Sequence, residues 1–284
     1  MITKKFKMCI FSTAKRILTL MIIYSIFFDP NKAFSSVKNI QDVVAVNYIS
    51  GWQDNNMDIY GAIQIELSPG WKTYWKQPGP FGVKPKFDWS QSTNIQDIEF
   101  FWPTPKIFND YNLQVIGYES IVTIPIKINK IIPIKNAFLN INMEFGVCSD
   151  VCILKTSQIS TLLNSQTKNS KKSLIVNALK KTPSKVIDRI VSSSKCLIDL
   201  GQETLELEYT INLAEKPRSK PVLIFGYARS NQFIINETMK IDGRQLIVTA
   251  SLANIHNKEG FIERDRLKAL LILENKGFEI NGCN

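Results

Sequence analysis

The sequence is poor in the residues that most catalytic and metal sites require. Its 284 residues include one histidine, His256, and five cysteines. A zinc site needs about four ligands, and no second histidine or cysteine stands at ligand spacing from His256, so zinc is disfavoured. We expect His256 on a surface loop rather than as a base. No Ser-His-Asp set, phosphate loop or paired-carboxylate signature is present, and no cofactor or metal is expected.

Long apolar runs are also scarce. The strongest, residues 17–28, follows a basic segment and ends at Asp29-Pro30. It is shorter than the roughly 20 residues that a membrane-spanning helix needs. These features predict an export signal over residues 1–36, cleaved just before Val37, and an exported mature protein. An uncleaved amino-terminal membrane anchor is the alternative, and Cys9 would leave with a cleaved signal.

Much of the positive charge belongs to this signal. The chain has a formal net charge of +10, and removal of the signal, with six Lys/Arg and one acidic residue, leaves about +5. No stripe of interleaved aromatic and basic residues is present, which argues against single-strand binding. Nucleic acid is therefore not an expected partner.

Alternation of apolar and polar residues dominates the rest of the chain. It is strict over residues 59–68, 122–129, 139–145 and 205–213, which is typical of half-buried antiparallel strands. We therefore predict an all-β protein with two immunoglobulin-like β-sandwich domains in series, at 37–163 and 193–284. Pro125 cannot donate a sheet hydrogen bond, which predicts that its strand is an edge strand or is bulged there.

A linker is predicted between the two sandwiches, over residues 164–192. Its polar beginning is followed by helix-like spacing at 174–179 and again at 186–191, divided by Thr182-Pro183-Ser184. In the second sandwich, Asp242-Gly243 predicts a two-residue hairpin turn, and Asn275-Lys276-Gly277 predicts a second turn.

Four cysteines remain after signal cleavage: Cys148, Cys152, Cys196 and Cys283. An even number in an exported chain favours disulfides. Cys196 opens the second sandwich and Cys283 ends it, and terminal strands of such domains often lie side by side. We predict a structural disulfide between them.

The other two cysteines lie close together, directly after a strong strand. Four residues of extended chain would separate their Cα atoms by about 13 Å, whereas a disulfide requires about 4.4 to 6.8 Å. The pair can therefore bond only if the chain turns, and Ser149-Asp150 turn readily. Since so small a loop adds little stability, a redox role is favoured. A static staple, two buried thiols or a Cu(I) site remain open.

Several separated motifs resemble the amino-terminal domain of DsbD and its ScsB relatives, over roughly residues 40–165. The motifs are Gly70-Trp71-Lys72-Thr73-Tyr74-Trp75-Lys76-Gln77-Pro78-Gly79, Phe87-Asp88-Trp89-Ser90, Trp102-Pro103-Thr104-Pro105, Gly117-Tyr118-Glu119 and the Cys148/Cys152 pair. The second sandwich resembles the second immunoglobulin-like module of the ScsB ectodomain.

The resemblance implies a carrier that relays electrons by dithiol–disulfide exchange. Its electron donor would be a membrane-embedded protein of the DsbD-beta or CcdA type, and its acceptors periplasmic thioredoxin-like or disulfide-isomerase proteins. Cys152 would form the mixed disulfides and Cys148 would resolve them. A loop with an aromatic residue, Tyr111 or Phe108, would shield the pair.

The resemblance also implies that Trp71 and Tyr74 line the site, although burial in the sandwich core is an equally good interpretation of Trp71, Trp75, Trp89 and Trp102.

Two departures from the family pattern stand out. Ile153-Leu154 replaces the usual Ile-Pro after the pair, and the chain ends at Asn284. We expect the family's membrane and thioredoxin-like domains to be separate proteins.

Overall fold

The computed structural model describes residues 43–79, 82–110, 113–163, 171–185, 189–200, 205–227, 234–252 and 267–282. The predicted export signal, Tyr111, His256 and Cys283 lie outside these ranges. The described chain is almost entirely β-structure with one helix, which confirms the predicted fold class. No described helix is long and apolar enough to span a bilayer.

The first sandwich consists of a four-stranded and a six-stranded antiparallel sheet. The four-stranded sheet has the order β1 (Val44–Gln53), β2 (Ile59–Leu67), β8 (Ile121–Asn129), β5 (Asp97–Phe100). The six-stranded sheet has the order β10 (Cys152–Leu163), β9 (Ala137–Cys148), β3 (Lys72–Tyr74), β7 (Leu113–Glu119), β6 (Lys106–Asp110), with β4 (Lys86–Asp88) also paired to β9. Alternate residues of the predicted strands point inward and form a core that includes Ile63, Ile124, Leu139 and Phe145.

Pro125 does not mark an edge strand, contrary to the prediction. Strand β8 lies between β2 and β5, and its register with β2 continues through Pro125 opposite Ala62. Pairing with β5 ends one residue away, at Phe100 opposite Ile126. The Pro125 carbonyl accepts a hydrogen bond from Phe101 N at 2.9 Å, so this proline faces the end of β5. The missing N–H is tolerated because the ladder stops there.

The second half also contains two four-stranded sheets. One has the order β11 (Ser184–Lys185), β18 (Lys276–Asn281), β17 (Leu267–Leu273), β14 (Val222–Tyr227). The other has the order β12 (Val191–Leu200), β13 (Leu205–Leu213), β16 (Gln245–Leu252), β15 (Ile234–Asp242). A separate core that includes Tyr209, Ile211, Val248 and Leu271 fills the space between them.

Both predicted turns of this half lie one residue from the expected place. Asp242 pairs with Gln245, so the turn is Gly243-Arg244, with φ of 59° at Gly243. Leu273 pairs with Lys276, so the other turn is Glu274-Asn275. Its φ angles are 49° and 65°, and a type I′ hairpin turn needs positive φ at both central residues.

The described residues of the predicted linker contain one helix. Helix α1 (Lys172–Leu179) buries Ile175 against Ile49 and Ala62, on the face of the four-stranded sheet that points away from the core. The second predicted helix, over 186–191, falls in part on residues 186–188, outside the described ranges. The described residues on either side are not helical, because Ser184–Lys185 pair in parallel with β18 and Val191 begins β12. The predicted boundaries at 163 and 193 stay predictions, since residues 43–284 form one compact unit.

The Cys196–Cys283 pairing gives a testable prediction of the fold. Cys196 is buried and disulfide-bonded, and its cross-strand partner Tyr209 donates a hydrogen bond to the Gly282 carbonyl at 3.1 Å. We expect non-reducing peptide mapping to find Cys196 joined to Cys283. Loss of the bond in Cys196→Ser should lower the free energy of unfolding by up to about 4 kcal/mol in the chain-entropy model. Free alkylation of Cys283 in the native oxidised protein would contradict this pairing.

Candidate redox site

The Cys148–Cys152 disulfide closes the end of the β9–β10 hairpin. The two residues are register partners, with Cα atoms 4.1 Å apart. The expected turn is formed by Ser149, Asp150 and Val151. Ser149 N donates to Val151 O at 3.0 Å, and Asp150 N donates to Ser149 Oγ at 2.6 Å. The turn thus brings the sulfurs together at the tip of a long two-stranded ladder.

The two cysteines differ in their access to solvent. Cys148 is only 7% exposed, whereas Cys152 is exposed. Val151 and Leu154, on either side of Cys152, are each 56% exposed, so the surface around the accessible sulfur is apolar. An external thiolate can therefore reach Cys152 more easily than Cys148.

Tyr74 lies against both sulfurs. Its side chain is 3% exposed, and its Oη atom lies 2.8 Å from Cys148 Sγ and 3.5 Å from Cys152 Sγ. A disulfide carries no proton, so the phenol O–H donates in this state. Burial raises the pKa of Tyr74, which keeps the phenol protonated and able to donate at neutral pH.

Glycines make room for the Tyr74 ring. A Cβ atom at Gly146 would lie 2.7 Å from Tyr74 Cε2, and one at Gly82 would lie 2.9 Å from Tyr74 Cδ1. Gly146 lies within β9 and its φ is not positive. Its role is close packing against the tyrosine, whereas the sequence suggested only backbone freedom near the turn.

Strand β3 fixes the position of this tyrosine. Lys72 pairs with Cys148 and Thr73 with Val147 in β9, and Thr73 Oγ1 donates to the Gly146 carbonyl at 2.9 Å. On the other side β3 pairs with β7. Tyr74 is therefore held by neighbours on both sides.

The remaining predicted residues differ in their burial. Trp71 is half-buried against the first core, as are Trp89 and Trp102, while Trp75 is fully buried. Phe108 lies on β6, with Lys72 Nζ 5.0 Å from its ring centroid. Lys72 is the register partner of Cys148, so its side chain connects the strand beside Cys148 with Phe108. Its shielding role, and that of Tyr111 outside the described ranges, stay predictions.

No group of three or more His, Cys, Asp or Glu residues within the described ranges could hold a metal ion.

The sequence placed Tyr74 only among the lining residues. Its direct contact with the sulfurs follows from β3 lying beside β9, a pairing that no local pattern reveals. The glycine packing was missed for the same reason.

Comparisons with known proteins agree with this geometry. Residues 44–164 match the family described as thiol:disulfide interchange protein DsbD, N-terminal. A search of curated proteins gave no match. The crystal structure of the N-terminal periplasmic domain of ScsB from Proteus mirabilis is similar at 22% identity, with a TM-score of 0.69, over 84% of this chain and 92% of that chain. The fold is thus shared with that domain, and the match to the DsbD amino-terminal family covers residues 44–164, the part of the chain that carries Cys148 and Cys152.

Proposed function

We propose that this protein relays electrons by dithiol–disulfide exchange through Cys148 and Cys152. The observation that supports it best is the asymmetry of the pair. The exposed residue Cys152 is bonded to the buried residue Cys148, whose sulfur has a protonated phenol within hydrogen-bond distance. A purely structural disulfide needs neither the accessible sulfur nor the buried donor.

The exchange begins when a partner thiolate attacks Cys152 Sγ. The Cys148–Cys152 bond breaks, a mixed disulfide forms on Cys152, and Cys148 leaves as a thiolate. A second partner thiolate then attacks the partner sulfur of the mixed disulfide and releases Cys152. The partner dithiol loses two electrons and becomes a disulfide, the pair gains them, and the two protons of the partner thiols pass to the pair through solvent.

Tyr74 is placed to assist the first step. Its phenol lies 2.8 Å from the sulfur that becomes the leaving thiolate. A hydrogen bond to a charged acceptor contributes more than one to a neutral acceptor, about 1.5 to 3 kcal/mol. The contact therefore strengthens as negative charge develops on Cys148 Sγ, which lowers the barrier to bond cleavage.

The proposed setting is the periplasm, as the relative's description as a periplasmic domain suggests. The electron donor would be a membrane-embedded protein of the DsbD-beta or CcdA type. The acceptors would be thioredoxin-like or disulfide-isomerase proteins. The exposed Val151 and Leu154 beside Cys152 provide an apolar contact surface that such partners require to align their sulfurs.

Removal of one cysteine should trap a partner. In Cys148→Ser, Cys152 can still attack a partner disulfide, but no resolving thiol releases the adduct. We expect a covalent complex with a periplasmic thioredoxin-like protein, seen on non-reducing gels as a band that disappears with reductant. Cys152→Ser should trap little, because its remaining sulfur is buried.

Each variant is the control for the other. Both lose the same disulfide, so a difference in trapping reflects the accessibility of the remaining sulfur and not an effect of bond loss on folding. Equal trapping by the two variants would reassign the roles of the sulfurs. A reduction potential near −200 mV is expected for an exchanging couple, whereas a value below about −300 mV marks a structural bond. A reduction potential below about −300 mV, together with no covalent adduct from either variant, would contradict the relay.

Tyr74→Phe should slow reduction of the pair and leave the disulfide intact. Loss of the hydrogen bond to the developing thiolate, about 1.5 kcal/mol, corresponds to a rate about tenfold lower with dithiothreitol. In the reduced protein the pKa of Cys148 should rise, because the hydrogen bond favours the charged form. Thiolate absorbance against pH would measure this shift.

Tyr118→Phe is the control for this variant. Tyr118 is also buried, but its Oη donates to the Pro103 carbonyl at 2.7 Å rather than to a sulfur. Its replacement should lower stability without changing the rate of reduction. Equal rates for wild-type protein and Tyr74→Phe would remove the tyrosine from the mechanism.

A further inference from the structure

The loop between β8 and β9, residues 130–136, exposes three isoleucines within four residues. Ile131 is 62% exposed, Ile132 39% and Ile134 83%. Single exposed apolar residues are common on protein surfaces, whereas contiguous groups usually mark an interaction site. This loop therefore requires an explanation that the redox pair does not supply.

Hydrogen bonds hold the backbone of the loop that carries the isoleucines. Lys135 N donates to Ile132 O at 3.1 Å, which closes a tight turn with Pro133 and Ile134 at its centre. Asn94 fastens this turn to the sandwich. Its Nδ2 donates to the carbonyls of Ile132, Lys135 and Asn136 at 3.0 to 3.2 Å, and its Oδ1 accepts from Ile132 N at 2.7 Å. The exposed side chains are thus preorganised, which reduces the entropy lost on binding.

Two further apolar side chains lie at the same end of the sandwich. Phe138 and Leu162 are cross-strand partners at the start of β9 and the end of β10, and they are 38% and 56% exposed. A backbone bridge between Phe138 and Thr93 places this pair next to Asn94. We call the five residues Ile131, Ile132, Ile134, Phe138 and Leu162 the apolar tip.

The shape and charge of the apolar tip favour a lipid surface. Side chains that are this exposed do not enclose a small molecule. Lys130 and Lys135 flank the isoleucines, and Lys130 Nζ donates to the Pro133 carbonyl. One acidic residue, Asp97, lies next to the loop, because it pairs with Asn129. Lys130, Lys135 and Asp97 together carry a net charge of +1. Apolar side chains between lysines match a membrane interface, where the ammonium groups stay among anionic headgroups.

We propose that the apolar tip docks the protein on the surface of a membrane that contains anionic phospholipid. The loop lies at the opposite end of β9 from Cys148, and eleven strand steps span about 36 Å. Docking by the tip therefore leaves the disulfide in water, accessible to partners. This surface does not depend on the redox role, since none of its residues contacts the sulfurs.

Flotation with vesicles of phosphatidylethanolamine and phosphatidylglycerol at 3:1 tests the proposal. We expect the wild-type protein to float and the double variant Ile131→Ser/Ile134→Ser to bind about tenfold more weakly, because two exposed isoleucines no longer enter the interface. Ile121→Ser is the matched control. Ile121 is 61% exposed but begins β8, at the other end of that strand from the loop, so its replacement should leave binding unchanged.

The charge contribution has its own test. Lys135→Gln should weaken binding to the anionic vesicles about fivefold and leave binding to pure phosphatidylcholine vesicles unchanged. Circular dichroism and an unchanged rate of disulfide reduction would show that the variants are folded. Equal flotation of wild-type protein and the double variant, or no flotation of either, would overturn the proposal. Capture of a membrane protein without binding to protein-free vesicles would equally overturn it in favour of a protein partner.

Discussion

The register of the β9–β10 hairpin is the constraint on which the redox site depends. Twelve residues of each strand pair without a shift, from Ala137 opposite Leu163 to Cys148 opposite Cys152. A slip of one residue would turn every side chain of a strand to the opposite face, burying polar residues and separating the sulfurs. The same burial of β9 side chains that stabilises the sandwich therefore also fixes the geometry of the disulfide.

This constraint accounts for the unequal surroundings of the two sulfurs. Cys148 ends a strand that has neighbours on both sides, whereas Cys152 begins β10, which lies at the edge of its sheet. Burial and the Tyr74 hydrogen bond follow from the inner position, and access to solvent follows from the edge. The fold alone thus gives the two cysteines unequal environments, one buried beside a hydrogen-bond donor and one open to solvent.

The sequence predicted most of the strands, because alternation directly reflects which residues face the core. It was less reliable where the outcome depends on contacts between distant segments. Pro125 indicated an edge strand by a sound local rule, yet β5 stops one residue before the position where the missing N–H would matter. The spacing at residues 186–191 suited a helix, but Val191 instead begins a strand in the second sandwich. The cysteine pair and its turn could be predicted locally, whereas the space for Tyr74 beside Gly146 depends on β3 crossing next to β9.

The residues that follow Tyr74 connect the site to the rest of the molecule. Trp75 is buried in the first core, and Lys76 Nζ lies 3.7 Å from Glu279 of the second sandwich. Both charged groups are about 40% exposed, and such pairs contribute at most about 1 kcal/mol. Leu270 of β17, by contrast, is buried within the core cluster of the first sandwich, and loss of a buried leucine side chain typically costs about 2 to 5 kcal/mol. Apolar burial rather than the ion pair must therefore hold the second sandwich against the first. Lys76, two residues after Tyr74, is one point at which the segment that carries the tyrosine meets the second sandwich.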